Sequence, residues 1–202
     1  MLSPPPSTRP ARTPDIPALA SMLARAFYDD PVAIWSCKPD RLRPQVLERF
    51  HGTRLRQLLA HEEVWTEEGL GCAALWAPPK HWREGVRADL EIARSVLHPR
   101  LFWRMPLLGI GFGGMEAAHP KGPPHWYLAV LGTDPSAQGK GLGSAVLQPV
   151  LERCERDGVG AYLESSKERN IDFYARHGFK VTREIKLPRG PKLWAMWRQP
   201  GE

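Results

Sequence analysis

Apolar side chains recur at helical spacing near the start of the chain. Ile16, Leu19, Ala20, Leu23 and Phe27 fall on one face, and Thr13-Pro14-Asp15 before them reads as a helix start. Thr13 is predicted to accept from the first free amides, Pro14 suits the first helical position and Asp15 suits the dipole. This helix is predicted to end near Asp29-Asp30-Pro31. A second is predicted from Pro39 to about Ala60, with Leu42, Val46, Phe50, Leu55 and Leu58 inward. Val64-Trp65-Thr66 and Cys72-Ala73-Ala74-Leu75-Trp76 read as two strands joined by the turn Glu67-Glu68-Gly69. Residues 82–98 follow as an amphipathic helix, and 101–118 as another, loosened by Pro106 and several glycines.

The second half is more regular. The apolar run 126–132 predicts a strand, then a glycine-rich loop, then a helix over 144–156. Ala161-Tyr162-Leu163-Glu164 predicts a strand, and 168–177 a short helix closed by Gly178. Residues 179–187 and 192–198 predict two last strands joined by Pro188-Arg189-Gly190-Pro191. The proline-rich stretch 3–10 is expected to be extended or loose. With no repeat and no linker, the order of elements implies one α+β unit, mixed around a single sheet.

Composition narrows the chemistry. The 202 residues carry a net charge of +6, but their lysines and arginines are dispersed, with no basic stripe interleaved with aromatics. No nucleic-acid partner is therefore expected. The longest apolar patch, 105–115, is too short and too glycine-rich to span a membrane. The N-terminus lacks an apolar signal core, so a cytoplasmic protein is expected. Cys37, Cys72 and Cys154 are far apart and odd in number, which argues against a zinc site and against a disulfide framework.

The glycine-rich loop is Gln138-Gly139-Lys140-Gly141-Leu142-Gly143, with Ser144 opening the helix. Between a strand and a helix N-terminus it forms an anion site. Free amides and the dipole attract negative charge, glycines let the backbone come close, and Lys140 adds charge. Two phosphate motifs fail. A P-loop would need glycine where Asp134 stands and a hydroxyl residue where Gly141 stands. A GxGxxG pattern would need glycine at Ser144 or at Val146. The pattern that fits is Q-x-x-G-x-G.

Downstream lies Asn170-Ile171-Asp172-Phe173-Tyr174-Ala175-Arg176-His177-Gly178-Phe179. The loop and this N-x-x-F-Y-x-x-x-G-F block, at their spacing, resemble the two hallmarks of the GNAT N-acetyltransferase superfamily. The resemblance implies a three-layer α/β/α fold, its mixed and mostly antiparallel sheet splayed at the central strands. It also implies acetyl-CoA as cofactor, with an acceptor-shaping region over about 12–120 and an acetyl-CoA-binding core over about 125–198 of a single domain, 1–202. Tyr174 becomes the general acid for the leaving thiolate, against the alternative of a half-buried aromatic. Asn170 contacts the pantetheine arm or phosphates, or caps its helix, or does both. Phe173 packs in the core or on the adenine side, and Arg176 meets a phosphate or is simply exposed. The main-chain amides of Val130 and Leu131 hold the acetyl carbonyl and pantetheine. Glu164, at the end of a central strand, is the candidate base, the alternative being an exposed or salt-bridged residue, with Asp29 and Asp30 as second candidates for the base.

The likeness extends toward the puromycin N-acetyltransferase branch through Tyr162-Leu163-Glu164-Ser165, Ala26-Phe27, Pro39-Asp40-Arg41 and Gly190-Pro191-Lys192-Leu193-Trp194, and is poor over 82–114. The expected partner is a small-molecule amine, met by Phe27, by Asp29 or Asp30 if the acceptor is cationic, and by Trp35, Trp76 and Trp126 if it is aromatic. A protein lysine or N-terminal acetyltransferase and a non-catalytic acyl-CoA-binding domain are the competing readings. No metal is expected, and the superfamily allows a monomer or a homodimer.

Overall fold

The computed structural model describes residues 6–38, 40–83 and 85–201. The predicted helix start at Pro39 and residues 3–5 of the proline-rich stretch lie outside them. Strand β1 (Thr8–Pro10) is followed by a 3-10 turn over Thr13–Asp15 and by helix α1 (Ile16–Ala26). Thr13 does not cap this start. The Asp15 carboxylate accepts from the Arg12 amide at 2.8 Å, and the Arg9 guanidinium holds that carboxylate at 2.7 Å. An ion pair supplies what a hydroxyl was expected to supply.

Helix α2 (Pro31–Ser36) is an unforeseen turn and a half. Helix α1 ends at Ala26, short of the end predicted near residues 29–31, and after a turn the chain starts a helix again at Pro31, because proline suits a first helical position and Asp30 caps it. Helix α3 (Arg43–Leu59) buries Val46, Leu47, Leu55 and Leu58, and its predicted inward Phe50 is half-buried. The hairpin of β2 (Val64–Glu67) and β3 (Cys72–Ala77) follows, then α4 (Val86–Val96) and α5 (Met105–Ala118). Trp82 and His98 lie outside α4, and Pro106 helps to open α5 rather than loosen it. The second half runs β4 (His125–Thr133), α6 (Leu142–Asp157), β5 (Gly160–Ser165), α7 (Ile171–Ala175), β6 (Lys180–Lys186) and β7 (Lys192–Arg198).

The seven strands form one sheet in the order β1-β2-β3-β4-β5-β7-β6. Every pairing is antiparallel except β4 with β5. Residues 8–10 of that stretch thus form an edge strand, Arg9 opposite Thr66, a place where proline costs no ladder bond. Alternating side chains on the central strands feed two cores. One packs Trp76, Trp126, Leu163 and Met196 under Val146, Leu147, Val150 and Leu151 of α6. The other packs Ala73, Leu75 and Val130 against Leu19, Leu23, Leu55 and Leu58 of α1 and α3. On that second face Leu108 of α5 covers Tyr162, Ile185 and Leu193. The result is the expected α/β/α layering.

Candidate active site

The sheet opens at its one parallel pairing. Strands β4 and β5 are in register from His125 opposite Gly160 to Leu128 opposite Leu163, and no further. Strand β4 continues to Thr133, held only by β3. Leu75 stands opposite Val130 and Trp76 opposite Leu128, so Ala129 is an extra residue on β4. Such a bulge bends and twists its strand. The main chain of 129–133, with Val130 and Leu131 in it, therefore lacks a partner on the β5 side, where a cleft of about 490 Å³ opens.

The glycine-rich loop and the first turn of α6 form one wall. Gly139 and Gly141 have φ of +76° and +77°, and a Cβ built on either meets nothing within 4 Å. Both would project into open space. Gly141 caps α6 with no side-chain acceptor, and the first internal bond runs from the Ala145 amide to the Gly141 carbonyl at 3.1 Å. The preceding amides thus lack helical acceptors and carry the positive end of the dipole. Lys167, Arg169 and Arg176 add cations to the lining. Open glycines, unpaired amides and three cations fit a pyrophosphate. Gln138 reaches the Thr133 carbonyl from its Nε2 at 3.3 Å. Ser144 Oγ bonds His177 Nε2 at 2.9 Å. Lys140 is not on the wall; its Nζ lies on the Ser136 carbonyl at 3.3 Å. Phe173 packs its ring against Gly143, where an added Cβ would stand 3.3 Å from it. Asn170 lines the cleft and makes no side-chain cap to α7.

Tyr174 and Glu164 also line the cleft. Burial raises the Tyr174 phenol well above its ordinary value, and the Asp30 charge adds to this. The phenol therefore keeps its proton at any physiological pH. The Glu164 side chain is only 6% exposed, and His119 Nδ1 stands 3.7 Å from its Oε1. The Tyr127 and Tyr162 phenols lie beside the same carboxylate. Burial first, and then that charge, push both upward.

The remaining predicted acceptor residues divide. Phe27 lines the cleft and leans on His51, ring centroids 5.0 Å apart. Asp30 also lines it, but its carboxylate accepts from the Val32 amide at 2.9 Å, the Ala33 amide at 3.2 Å and the Ser166 hydroxyl. It is a helix cap bridged to Ser166, just after β5. Asp29 is off the wall and exposed, paired with Lys167 Nζ at 2.6 Å, a bond that lowers its pKa. Three tryptophans lie in cores rather than on the cleft. Trp76 and Trp126 sit under α6, and Trp35 packs against Leu108 and donates to the Pro188 carbonyl at 3.1 Å. Sequence reasoning missed Ser166, Lys167 and Arg169 on the wall. They directly follow Glu164, and a strand end running into a polar, basic loop was the available signal.

Among the described residues no helix is long and apolar enough to cross a membrane, and no group of three or more His, Cys, Asp or Glu side chains is placed to hold a metal ion.

Comparison with known proteins bears on the same region. The profile of the acetyltransferase (GNAT) family matches residues 22–179. An uncharacterized N-acetyltransferase of Schizosaccharomyces pombe is 25% identical over 199 residues, covering 92% of this chain and 80% of that one. A mycothiol acetyltransferase of Propionibacterium freudenreichii is 37% identical over 75 residues, 36% of this chain and 24% of the relative. Among solved structures, a Corynebacterium glutamicum protein described as a histone acetyltransferase and related acetyltransferase superposes with a TM-score of 0.69 at 25% identity, covering 98% of each chain. The polyamine N-acetyltransferase of Drosophila melanogaster superposes at 0.60 with 13% identity, covering 96% of this chain and 99% of that one, a likeness of fold.

Proposed function

We propose that this chain, which belongs to the acetyltransferase (GNAT) family, moves the acetyl group of acetyl-CoA onto a primary amine of a small molecule in the cleft between β4 and β5. The parting of those strands between the α6 N-terminus on one side and Glu164 with Tyr174 on the other carries this reading. Acetyl-CoA supplies a thioester carbonyl open to attack. The chain's part is to hold, polarise and move protons.

Gly139, Gly141, Leu142, Gly143 and Ser144 bind the pyrophosphate through main-chain amides at the helix N-terminus. Arg176 and Asn170 hold the phosphate and pantetheine side, and Phe173 packs beside them. Main-chain amides of Val130 and Leu131, freed by the splay, take the acyl carbonyl and stabilise charge growing on its oxygen. Donors of this kind contribute about 2.7–4 kcal/mol each in well-measured hydrolases.

A free alkyl amine holds its proton until pH ~10 and must lose it before attack. Glu164, its side chain largely buried and on the cleft lining, takes that proton. Tyr174 donates to the departing sulfur. Its burial ensures that a proton is there to give. The acceptor passes Phe27, which packs on α3, and α5 covers the sheet beyond Tyr162. Likeness to the puromycin branch through 162–165 makes an aminonucleoside the first acceptor to try. The acceptor wall is aromatic through Phe27, not through the three core tryptophans.

Thiol release from acetyl-CoA, measured against puromycin, polyamines, aminoglycosides and peptides, tests the proposal. Turnover with at least one small amine is expected. Turnover with peptides alone would replace the small-molecule reading by protein acetylation, and binding of acetyl-CoA with no turnover on any amine would sink both.

A further inference from the structure

Behind Glu164, away from the cleft, lies a run of buried titratable groups that the proposed reaction leaves unused. His119, at the end of α5, and His125, at the start of β4, are each 4% exposed. His119 Nε2 and His125 Nε2 are 3.1 Å apart, and His125 Nδ1 is 2.8 Å from the Pro123 carbonyl. The indole of Trp82 stacks on His119 at 3.9 Å and 18°, which fixes the imidazole plane.

The hydrogens can be counted from these contacts. A carbonyl only accepts, so His125 carries hydrogen on Nδ1. Its Nε2 is then the acceptor of a neutral ring, and burial lowers the affinity of that ring for a second proton. His119 must therefore donate from Nε2, which leaves its Nδ1 bare. That bare nitrogen faces Glu164 Oε1 at 3.7 Å, too long for a hydrogen bond. The chain of contacts from Glu164 to Pro123 lacks one proton, and the gap lies next to the cleft-lining carboxylate.

We infer that His119 takes the substrate's proton on from Glu164, with His125 as the residue that sets its tautomer and shares the resulting charge. This rests on the reading of Glu164 as the base. In the transfer the N–H bond of the substrate ammonium breaks, the amine keeps the electron pair, and an O–H bond forms at Glu164 Oε1. That O–H bond then breaks as an N–H bond forms at His119 Nδ1, which restores the carboxylate. The imidazolium sits against Glu164. By passing its Nε2 hydrogen to His125 it moves the charge toward the loop 120–124, most of which is exposed. Both histidines are positioning residues, since neither lines the cleft. The groups facing the pair are Glu164 and Tyr162 of β5 and Tyr127 of β4. In addition, Arg183 of β6 donates to the Ala118 carbonyl next to His119, and Arg54 of α3 acts on Tyr127. A base standing alone in this place would keep its proton, become neutral and have to release it back through the cleft.

Nitrogen-15 NMR of the imidazoles in the wild-type protein tests this without an acceptor. At pH 9 His119 should show hydrogen on Nε2 only and His125 on Nδ1 only. On acidification the next proton should appear on His119 Nδ1. Glu164→Gln should lower the midpoint of that step by at least one pH unit, a tenfold loss of proton affinity. Hydrogen already on His119 Nδ1 at pH 9 would overturn the inference, as would a midpoint that Glu164→Gln leaves in place. The wild-type tautomer decides the matter alone if that variant does not fold. Undiminished thiol release by Glu164→Gln, with the amine turned over in the panel, would instead remove the base itself, and the two failures are separate.

Discussion

Tyr174 and Asp30 line the same cleft and do different work. Tyr174 is buried, and its phenol is raised by that burial and by the Asp30 charge. Tyr174→Phe keeps the ring packing and removes only the hydroxyl. Turnover should fall by about 10²–10⁴, the usual size of a general-acid contribution, with acetyl-CoA affinity unchanged. Equal turnover in the variant would exclude the acid role. Asp30 accepts three hydrogen bonds, two of them from the first amides of α2. Its charge is committed to the fold and not free for a cationic acceptor. Asp30→Ala should cost about 1–2 kcal/mol in urea unfolding, as loss of a helix cap does. A stability loss of that size with an unchanged acceptor KM would confirm the cap. A raised KM with unchanged stability would restore a substrate role.

Elements show which physical signals survive from sequence to fold. Helix α6 runs through Pro149 without ending, because Val146, Leu147, Val150, Leu151 and Cys154 bury a full stripe that offsets one lost backbone bond. Periodicity was the stronger signal there and was readable. At Pro31 the same residue type opens α2, and no pattern of apolar spacing marks a helix of six residues. Helix α3 carries a further device, His51, 2% exposed between Phe27 and Phe50. Burial, with some repulsion from Arg54, lowers its pKa to about 3. Below pH ~6.5 the unfolded chain binds a proton there that the folded chain refuses, so this stability is complete above ~6.5 and is lost on acidification, by about 1.4 kcal/mol per pH unit. His125 and His177, also lowered by burial, act in the same sense. Urea unfolding at pH 7 and pH 5 should show the loss, and His51→Phe should remove about 2 kcal/mol of it. An identical pH dependence in His51→Phe would mean that His51 is protonated in the native state.

At the scale of the molecule, the proposed cofactor side and acceptor side differ in how they are assembled. Loop 138–144 and block 170–179 are each contiguous, because a strand, a tight loop and a helix N-terminus make an anion site locally. Such a site is legible in one sequence. The proposed acceptor side gathers Phe27 from the end of α1, Ser166 after β5 and Glu164 within it, brought together only by the sheet order. Tryptophan was a poor guide to it, because a large apolar ring is drawn as readily into a core, and Trp35, Trp76 and Trp126 went there. The pairing of His119 with Glu164 likewise needs the end of α5 to lie over β5, which no local pattern states.

In the proposed function the opened strands and the α6 N-terminus form the acetyl-CoA site. Calorimetric titration of acetyl-CoA into the wild-type protein and into Gly141→Val tests it most directly. Gly141 has φ of +77°, which strains any β-branched residue, and an added side chain would project into the open space over the loop. The wild type should bind one equivalent saturably, and Gly141→Val, still folded by circular dichroism, should lose at least tenfold in affinity. Equal affinity in the two proteins would place the cofactor elsewhere and contradict the account.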